Sequence, residues 1–545
     1  MHVKTSQQSP LFRNFEIVAV PLLAVVLFAG LGIAAILPPS PQAEEGNAAV
    51  FSVDRAMAHV QHIAREPHPV GSKAHDPALE YLVEQLRALP LDVEIQSASR
   101  GSLQLTNVLA RPRNASGSNV VLLVAHYDSV PTGPGAADDA AGVATLLETA
   151  RLLAAEPSAK NEVAFLFTDG EELGMLGASA FIKSNGEFLK HVRVVLNFEA
   201  RGNHGPVVMF ETGPHNLELM RRLRGCPYPV ATSFAQDVYH RMPNNTDLTR
   251  FMAAGLTGYN FAVIMGLEAY HGAGDTWENL DRRSVAHYGS YATTLSRRLA
   301  QADLDSLVSN QDGIFFPLFR GVLVVYPESW AVPLAAGACI FYGIVIIIGL
   351  ARRRFKITGI LLGTVFAICI PAIMALIVVC GMKLLKALFN YQQHGLFLVS
   401  PHSGAIAIFA LAIAAVLVLA VKFRLSRKFG SAEMLAGALL VWLVLAVITA
   451  LRMHGFSYLF LWPALFGTAA LWIISGCAPS CIFSANAAMI CSLAPGCVLF
   501  SPVILLVYHA LTIGLLPVLV GLASHLIFLV YINDASVHEG AIRRS

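Results

Sequence analysis

The sequence predicts two parts of different fold class: an α/β domain whose mixed, mostly parallel sheet is sandwiched by helices, and an all-α membrane domain. In residues 50–305, strand candidates alternate with helix candidates, and the composition is that of a soluble protein. Elsewhere the chain contains apolar runs of about 20 residues, the length that crosses a bilayer. Only 14% of the 545 residues are charged. Soluble proteins carry about 25%, so a large part of the chain is expected in a membrane.

The first apolar run, residues 16–37, predicts a transmembrane anchor that follows a cytoplasmic N-terminus of residues 1–15. A cleaved signal peptide is the competing interpretation, but the apolar part of such a peptide spans only about 7–15 residues. Pro38, Pro39 and Pro41 end the run, and a short polar linker leads to the α/β domain.

The α/β domain begins with two predicted helices and continues with strands and helices in alternation. Several of the strands are continuous apolar runs, as in parallel strands that are buried on both faces. The predicted helices are 53–64, 76–89, 140–154, 174–183 and 216–223, and the predicted strands are 93–97, 103–110, 120–125, 163–167, 192–198, 207–210 and 260–265. In folds of this kind, the active site lies at the carboxyl ends of the strands.

The membrane domain, residues 322–535, is predicted to contain about seven helices. The candidate spans are 330–350, 357–380, 403–421, 432–450, 457–475, 484–507 and 510–532. Basic residues cluster between spans at Arg352–Lys356 and Lys422–Lys428, and an excess of Lys and Arg marks cytoplasmic loops. With a cytoplasmic N-terminus, one anchor and seven further spans, the tail, residues 536–545, is expected in the cytoplasm. The α/β domain is then expected in the periplasm of a bacterium, or in the ER or vacuole lumen of a eukaryote.

Charge and cysteine content exclude two classes of protein. The net charge of +2 and the absence of a basic cluster with interleaved aromatic residues argue against a nucleic-acid partner. Cys226 is the only cysteine in residues 50–305, so the domain cannot be a disulfide-framework protein.

The stretch from Val124 to Asp139 contains the first candidate metal ligands. His126 and Asp128 follow an apolar strand and, two residues apart, can point to the same side of it. A loop rich in glycine and proline then brings the chain back to Asp138. Neutral imidazole and carboxylate are good zinc ligands, although a histidine near a strand end is often purely structural.

Three later elements supply the rest of a candidate site: Glu171 and Glu172 in FTDGEELGMLGA, Glu199 in LNFEARG, and His271 in AYHGAGDTWENL. Each has an ordinary alternative when taken alone, namely a solvated turn, a charged strand end or a solvated loop. Together the four elements offer two histidines and at least three carboxylates near strand ends. That is the inventory of a centre with two zinc ions and one bridging carboxylate.

These motifs resemble the co-catalytic di-zinc aminopeptidases of peptidase clan MH. The family pattern is HxD, GAxDD or GAxDN with a nearby glycine, EE followed by a glycine, an acidic residue after an apolar strand, and YHxxxDTxEN. Here the corresponding stretches read HYD, GAADDAAG, DGEELGMLG, NFEARG and YHGAGDTWENL, and the resemblance covers about residues 50–300. With an anchor and a multi-span C-terminal region, the chain resembles the subgroup of endoplasmic reticulum metallopeptidases and vacuolar membrane proteases.

The resemblance implies a hydrolase, a membrane-bound metallopeptidase that removes N-terminal residues from peptides outside the cytoplasm. It implies two zinc ions, a peptide substrate and a role for each candidate residue. The implied metal ligands are His126 and Glu199 for one ion, Glu172 and His271 for the other, and Asp138 as the bridge.

Three further residues receive roles from the same resemblance. Glu171 is expected to be the general base. Asp128 is expected to hold His126 in the correct tautomer through a hydrogen bond. Asp247 is expected to line the substrate site.

Two other functions remain alternatives. A glutaminyl cyclase shares the fold and much of the site but uses one zinc, and Asp139 beside Asp138 argues against it. A non-catalytic receptor or scaffold is disfavoured, since every ligand position and the base are retained. The membrane helices carry few charged residues, which argues against a transporter. They are expected to contact the lipid bilayer and could mediate homo-oligomerisation.

Overall fold

The computed structural model describes residues 10–41, 49–113, 119–156, 159–307, 309–389, 403–476, 482–511 and 513–532. Most of the predicted cytoplasmic N-terminus and all of the predicted tail, residues 536–545, lie outside the described residues. The chain divides into two compact units. The helical unit comprises Met1–Ala34 and Ser329–Ser545, and the sheet unit comprises Ala35–Glu328.

Helices and strands alternate through the sheet unit, whereas the described part of the C-terminal region after residue 330 is helical. The helices are α1 Pro10–Ala34, α2 Val53–Ile63, α3 His75–Arg87, α4 Ala141–Ala154, α5 Leu176–Ser184, α6 Gly186–Leu189, α7 Leu217–Leu223, α8 Ser233–Tyr239, α9 Asp247–Ala253, α10 Arg282–Gln301, α11 Ala331–Ala351, α12 Ile357–Phe389, α13 Ser403–Phe429, α14 Ser431–Arg452, α15 Ser457–Gly476, α16 Ile482–Leu511 and α17 Leu516–Phe528. The strands are β1 Leu91–Arg100, β2 Leu103–Pro112, β3 Val120–His126, β4 Glu162–Thr168, β5 Val192–Ala200, β6 His204–Thr212, β7 Gly258–Met265, β8 Gly313–Phe319 and β9 Val322–Pro327.

Strands β1 to β7 form one sheet in the order β1-β2-β4-β3-β5-β7-β6. The central strands β4, β3, β5 and β7 are parallel to one another. The outer strands β1, β2 and β6 run antiparallel to their neighbours. Strands β3 and β4 are buried along their whole length, which explains their continuous apolar sequences. The mixed sheet with a parallel centre confirms the predicted fold class.

Helices cover both faces of the sheet, as neighbouring residues of β3 show. Leu123 packs in a core that includes residues of α2, α4 and α10. Leu122 packs in a second core, with Phe181 of α5 and Phe251 of α9. Because successive side chains of a strand point to opposite faces, the sheet lies between two helical layers, as the sequence predicts.

The start of the membrane domain differs from the prediction. Residues 322–327, which we expected in that domain, form β9, and β9 pairs antiparallel with β8 in a separate two-stranded sheet. Phe315 and Leu323 of this hairpin are 0% and 1% exposed and belong to the main core of the sheet unit. A short apolar run is compatible with a strand or a helix, and the valines of VLVVYP favour the strand.

In the helical unit, six helices among the described residues are long and apolar enough to cross a membrane. They match the first six predicted C-terminal spans. Two apolar helical stretches are shorter, Ala19–Ala34 in the predicted anchor and Leu516–Phe528 in the last predicted span. Pro517 occupies the first turn of α17, a position that suits proline. Ile408 and Phe409 are 70% and 69% exposed, which fits a surface that faces lipid.

Candidate metal centre

The carboxyl ends of parallel strands bring the candidate ligands together. His126 is the last residue of β3, and Glu199 lies one residue before the end of β5. Because β3 and β5 are hydrogen-bonded neighbours, their ends meet at one edge of the sheet. Glu172 follows the end of β4, and His271 lies in the loop after β7.

The first cluster of donor atoms consists of His126, Asp138 and Glu199. The His126 Nε2 atom lies 3.3 Å from Asp138 Oδ1 and 3.6 Å from Glu199 Oε2. All three residues are buried, with exposures of 1%, 6% and 6% in that order. Two carboxylates and an imidazole therefore converge at a point that water barely reaches.

The second cluster consists of Asp138, Glu172 and His271. The His271 Nε2 atom lies 3.3 Å from Asp138 Oδ2 and 3.2 Å from Glu172 Oε2. Asp138 therefore belongs to both clusters, and it offers a different oxygen to each. The His271 side chain is 38% exposed, so the second cluster is the more open one.

The turn Ala136–Ala140 presents Asp138 to both clusters. Gly135, just before it, has a φ of 69°, a left-handed conformation that favours glycine. The Asp138–Asp139 peptide is cis. The Asp139 carboxylate accepts a hydrogen bond of 3.1 Å from the Gly142 N–H near the start of α4. Asp139 thus acts as a helix cap.

The carboxylate of Asp128 positions the turn that carries Glu171 and Glu172. It accepts hydrogen bonds from the Glu171 and Glu172 N–H groups, at 3.0 and 3.3 Å. His126 Nδ1 donates to the main-chain carbonyl of Asp128 at 3.0 Å, whereas the Asp128 carboxylate lies 3.5 Å away. The tautomer expected for His126 is therefore fixed mainly by a backbone oxygen, and the side chain serves the neighbouring turn.

Asp169 makes a second set of contacts that holds the turn of Glu171 and Glu172 in place. Asp169 is fully buried and accepts from the Thr106 N–H at 2.8 Å. Its other oxygen lies 2.8 Å from Nε2 of His75 in α3. Gly170, between Asp169 and Glu171, has a φ of 69°, so the chain can reverse here without strain.

Asp275 is a site residue to which the sequence analysis assigns no role. Its carboxylate accepts from the N–H groups of Ala137 and Asp138, at 2.8 and 3.2 Å. It thereby ties the loop of His271 to the turn of Asp138. The signal in the sequence was its place four residues after His271 in the motif YHGAGDTWEN.

Asn197 orients Glu199 in a similar way. Its side-chain amide lies two residues earlier on β5 and donates to Glu199 Oε1 at 3.2 Å. The same amide donates to Asn260 Oδ1 on β7 at 3.0 Å. Glu199 Oε2 faces His126, so Asn197 holds one oxygen of Glu199 while the other is directed toward the first cluster.

Asp247 lies at the start of α9, with an exposure of 1%. It accepts a hydrogen bond from the Thr168 hydroxyl at the end of β4. Its Oδ1 atom has no hydrogen-bond partner in the described part of the chain. Burial comes first among the causes that raise the pKa of Asp247 to about 7. Its substrate-binding role stays a prediction.

Neighbouring carboxylates raise the pKa of both histidines of the clusters. Burial acts to lower the pKa of His126, but the carboxylates of Asp128, Asp138 and Glu199 outweigh it and hold that pKa well above its ordinary value. Burial likewise acts against His271, yet Asp138 and Glu172 raise its pKa to about 9. The carboxylates therefore favour positive charge at both positions.

For Glu171, burial raises the pKa instead of opposing the rise. Burial, followed by the charge of Glu199, raises its pKa well above the ordinary value. Burial also raises the pKa of Glu172, although His271 acts against the shift. A carboxyl group with a raised pKa, next to candidate ligands, is suited to accept and return a proton.

The donor set fits zinc. Zinc binds imidazole nitrogen and carboxylate oxygen, and each cluster offers one nitrogen and two carboxylate groups within 4.8 Å of one another. Glu172 Oε1 is buried and has no hydrogen-bond partner among the described residues. A buried carboxylate oxygen in that state is costly unless a cation or a proton compensates it.

Comparison with known protein families found similar peptidases. Residues 107–296 match the model of peptidase family M28. The vacuolar membrane protease of Candida albicans (strain WO-1) is 30% identical over 297 residues, which cover 52% of this chain and 34% of the relative. Endoplasmic reticulum metallopeptidase 1 of Rattus norvegicus is 27% identical over 340 residues, which cover 56% and 37%. The chain thus spans about a third of the length of these relatives.

Two solved structures resemble part of this chain at low TM-scores. The glutaminyl cyclase of Porphyromonas gingivalis has a TM-score of 0.39 at 20% identity, covering 46% of this chain and 99% of its own. BSAP, a zinc aminopeptidase from Bacillus subtilis, has a TM-score of 0.39 at 16% identity, covering 48% and 98%.

Proposed function

Since residues 107–296 match the model of peptidase family M28, we propose that the chain is a membrane-bound zinc aminopeptidase with two metal ions. It removes N-terminal residues from peptides. The observation that carries the proposal is Asp138, whose two oxygens face two different histidines at 3.3 Å each. A carboxylate placed in this way suits a bridge between two metal ions.

One ion would be held by His126, Asp138 and Glu199, and the other by Asp138, Glu172 and His271. When bound, the zinc ions would supply Lewis-acid polarisation of the scissile carbonyl. Asn197, through Glu199, and Asp275, through the Asp138 turn, keep the ligand oxygens in place.

Glu171 is the proposed general base. It would take a proton from the attacking water and deliver it to the amine that leaves when the peptide bond breaks. Its raised pKa supports this role, since a base must also be able to act as an acid in the second step. The hydrogen bond from its N–H to Asp128 keeps it beside the clusters.

The proposed arrangement in the cell has the sheet unit outside the cytoplasm. The basic segments Arg352–Lys356 and Lys422–Lys428 support a cytoplasmic position for the loops that contain them. Six apolar helices of membrane length support an integral membrane protein. The substrate is then a peptide of the periplasm, or of the ER or vacuole lumen.

The test is metal content and activity of the full chain in detergent. We expect about two zinc ions per chain and chelator-sensitive release of the N-terminal residue from aminoacyl amides. Glu171→Gln should keep the zinc and lose activity by roughly 100-fold to 10,000-fold. The matched control is Glu187→Gln, on exposed α6, which should keep both.

Two outcomes would overturn the proposal. Full activity of Glu171→Gln would remove the assigned base. One zinc ion per chain, together with cyclisation of N-terminal glutamine and no amide cleavage, would select a glutaminyl cyclase.

A further inference from the structure

The helical unit contains a cavity of about 600 Å³ that is separate from the metal centre. It lies where α11 and α13 end and where α12 and α14 begin. These are membrane-length helices, so the cavity lies at one end of the helical unit. A site at such a depth meets the headgroups of a bilayer, since the hydrocarbon core is only about 30 Å thick.

The walls of the cavity are strongly basic. Arg354 and Lys356 come from the segment between α11 and α12, and Arg427 and Lys428 come from the end of α13. Glu433 is the one acidic residue of the lining, so the lining carries a net positive charge. All four basic residues are exposed, and two of them, Arg427 and Lys428, lie over the rings of Phe423 and Phe429. Guanidinium and ammonium groups gathered in this way recognise phosphate.

Ser426 is an independent sign of a polar ligand. It lines the cavity, is 3% exposed, and its hydroxyl has no hydrogen-bond partner among the residues that the structure describes. A buried hydroxyl without a partner destabilises the folded chain. A phosphate oxygen in the cavity would accept its hydrogen bond.

The start of α14 already holds a carboxylate of this chain. Gly430 precedes the helix with a φ of 93°, and residues 430–433 line the cavity. Glu433 lies in the first turn, and a Cβ atom at Gly430 would lie 2.0 Å from Glu433 Oε2. The preference for an anionic ligand therefore comes from the four basic residues and not from the helix start, and Glu433 offsets part of their charge.

The lining also contains apolar residues, namely Phe355, Phe429, Ile474 and Ile532. A cavity lined by both cations and apolar side chains matches a phospholipid, whose phosphate is joined to glycerol and acyl chains. Free phosphate would use the first feature but not the second.

From these features, we propose that the cavity binds the phosphate headgroup of an anionic phospholipid. Arg354, Lys356, Arg427 and Lys428 bind the phosphate, Ser426 donates to it, and the apolar side chains of the lining contact the glycerol and the first acyl carbons. Recognition of this kind is typical of basic pockets between membrane helices. It is independent of peptidase activity.

The test uses the full chain in detergent, with binding of dioctanoyl phosphatidylglycerol measured by native mass spectrometry. Dioctanoyl phosphatidylcholine, which has the same acyl chains but no net charge, is the comparison lipid. We expect the anionic lipid to bind at least about tenfold more tightly, and less tightly as salt is raised. The double variant Arg354→Gln/Arg427→Gln should lose this preference.

The matched control is Arg352→Gln/Arg424→Gln, which removes one arginine from each of the same two segments. Neither residue is in the lining, so the preference should remain. If both double variants lost the preference for the anionic lipid equally, the preference would come from general surface charge, and the proposed site would be wrong. If the test variant fails to fold, as judged by its melting temperature, the single variants Arg427→Gln and Arg424→Gln make the same comparison.

Competition with inorganic phosphate tests whether the cavity prefers a phospholipid to free phosphate. It should displace the lipid only at concentrations far above those of the lipid itself. Displacement at equal concentration, or equal binding of the two lipids, would contradict a phospholipid ligand.

Discussion

Asp138 is the residue on which both donor clusters depend, because its two oxygens serve different histidines. Burial acts to raise its pKa, but His126 and His271 outweigh that effect and lower it. The carboxylate is therefore ionised, while the two histidines beside it favour the protonated form. Protons on the two histidines therefore compete with any metal ion that these residues would hold.

This competition predicts a pH dependence of zinc binding. Zinc binds neutral imidazole, so it must displace a proton from His271 wherever the pH is below that residue's pKa of about 9. The apparent affinity should therefore rise with pH up to about 9, by roughly tenfold per unit for each proton displaced. Isothermal titration calorimetry in two buffers of different ionisation heat would count the protons released at pH 7. Binding without proton release at that pH would contradict the prediction.

At the scale of elements, the site depends on a close approach between the start of α4 and the turn Ala136–Ala140 that precedes it. A Cβ atom at Gly142, in the first turn of α4, would lie 2.4 Å from both carboxylate oxygens of Asp139. Asp139 is 1% exposed and cannot move into solvent without leaving its hydrogen bond to the same residue. The start of α4 is thus coupled to the turn that presents Asp138.

Gly142→Ala should therefore destabilise the protein although alanine is the better helix former. Overpacking of this kind costs about 1–3 kcal/mol. The control is Gly186→Ala in α6, where a Cβ would meet nothing within 4 Å, so this change should be neutral or slightly stabilising. Thermal unfolding in detergent measures both effects. An unchanged melting temperature for Gly142→Ala would show that the turn of Asp138 moves freely.

The fold class and the grouping of the candidate ligands could be predicted from local patterns. Buried parallel strands produce continuous apolar runs, and polar residues such as His126 directly after them mark a strand end. Patterns of this kind do not reveal partners that are distant in sequence. The role of Asp275 was missed for this reason, since it depends on contacts with residues 137 and 138 across the site.

Helix α10 was missed for a different reason. Its sequence, RRSVAHYGSYATTLSRRLAQ, is mostly polar, so apolar content alone does not mark it as a core element. Yet Val285, Tyr288, Leu295 and Leu299 share one face and are all buried. The predicted end of the α/β domain, residue 305, is too early for a similar reason. Only tertiary packing shows that β8 and β9 belong to the sheet unit.

At the scale of the whole molecule, the sheet unit has its own core, which draws residues from α2 through to β9. We predict that residues 35–328 fold alone and bind zinc as the full chain does. A shorter fragment, residues 35–305, should not fold stably because it lacks Phe315 and Leu323. Burial of each such side chain contributes about 1.5–3 kcal/mol, and the total stability of a domain is only about 5–15 kcal/mol.

Two phenylalanines of β8 separate the loss of packing from the loss of chain length. Phe315 is fully buried in the core, whereas Phe319 is 50% exposed. In the 35–328 fragment, Phe315→Ala should lower the free energy of unfolding by about 3–5 kcal/mol, as is usual for a buried phenylalanine. Phe319→Ala should cost much less, since that side chain remains half in solvent. Denaturant unfolding followed by circular dichroism measures both variants. Equal effects of the two, or a 35–305 fragment as stable as 35–328, would mean that the hairpin is an appendage and not part of the core.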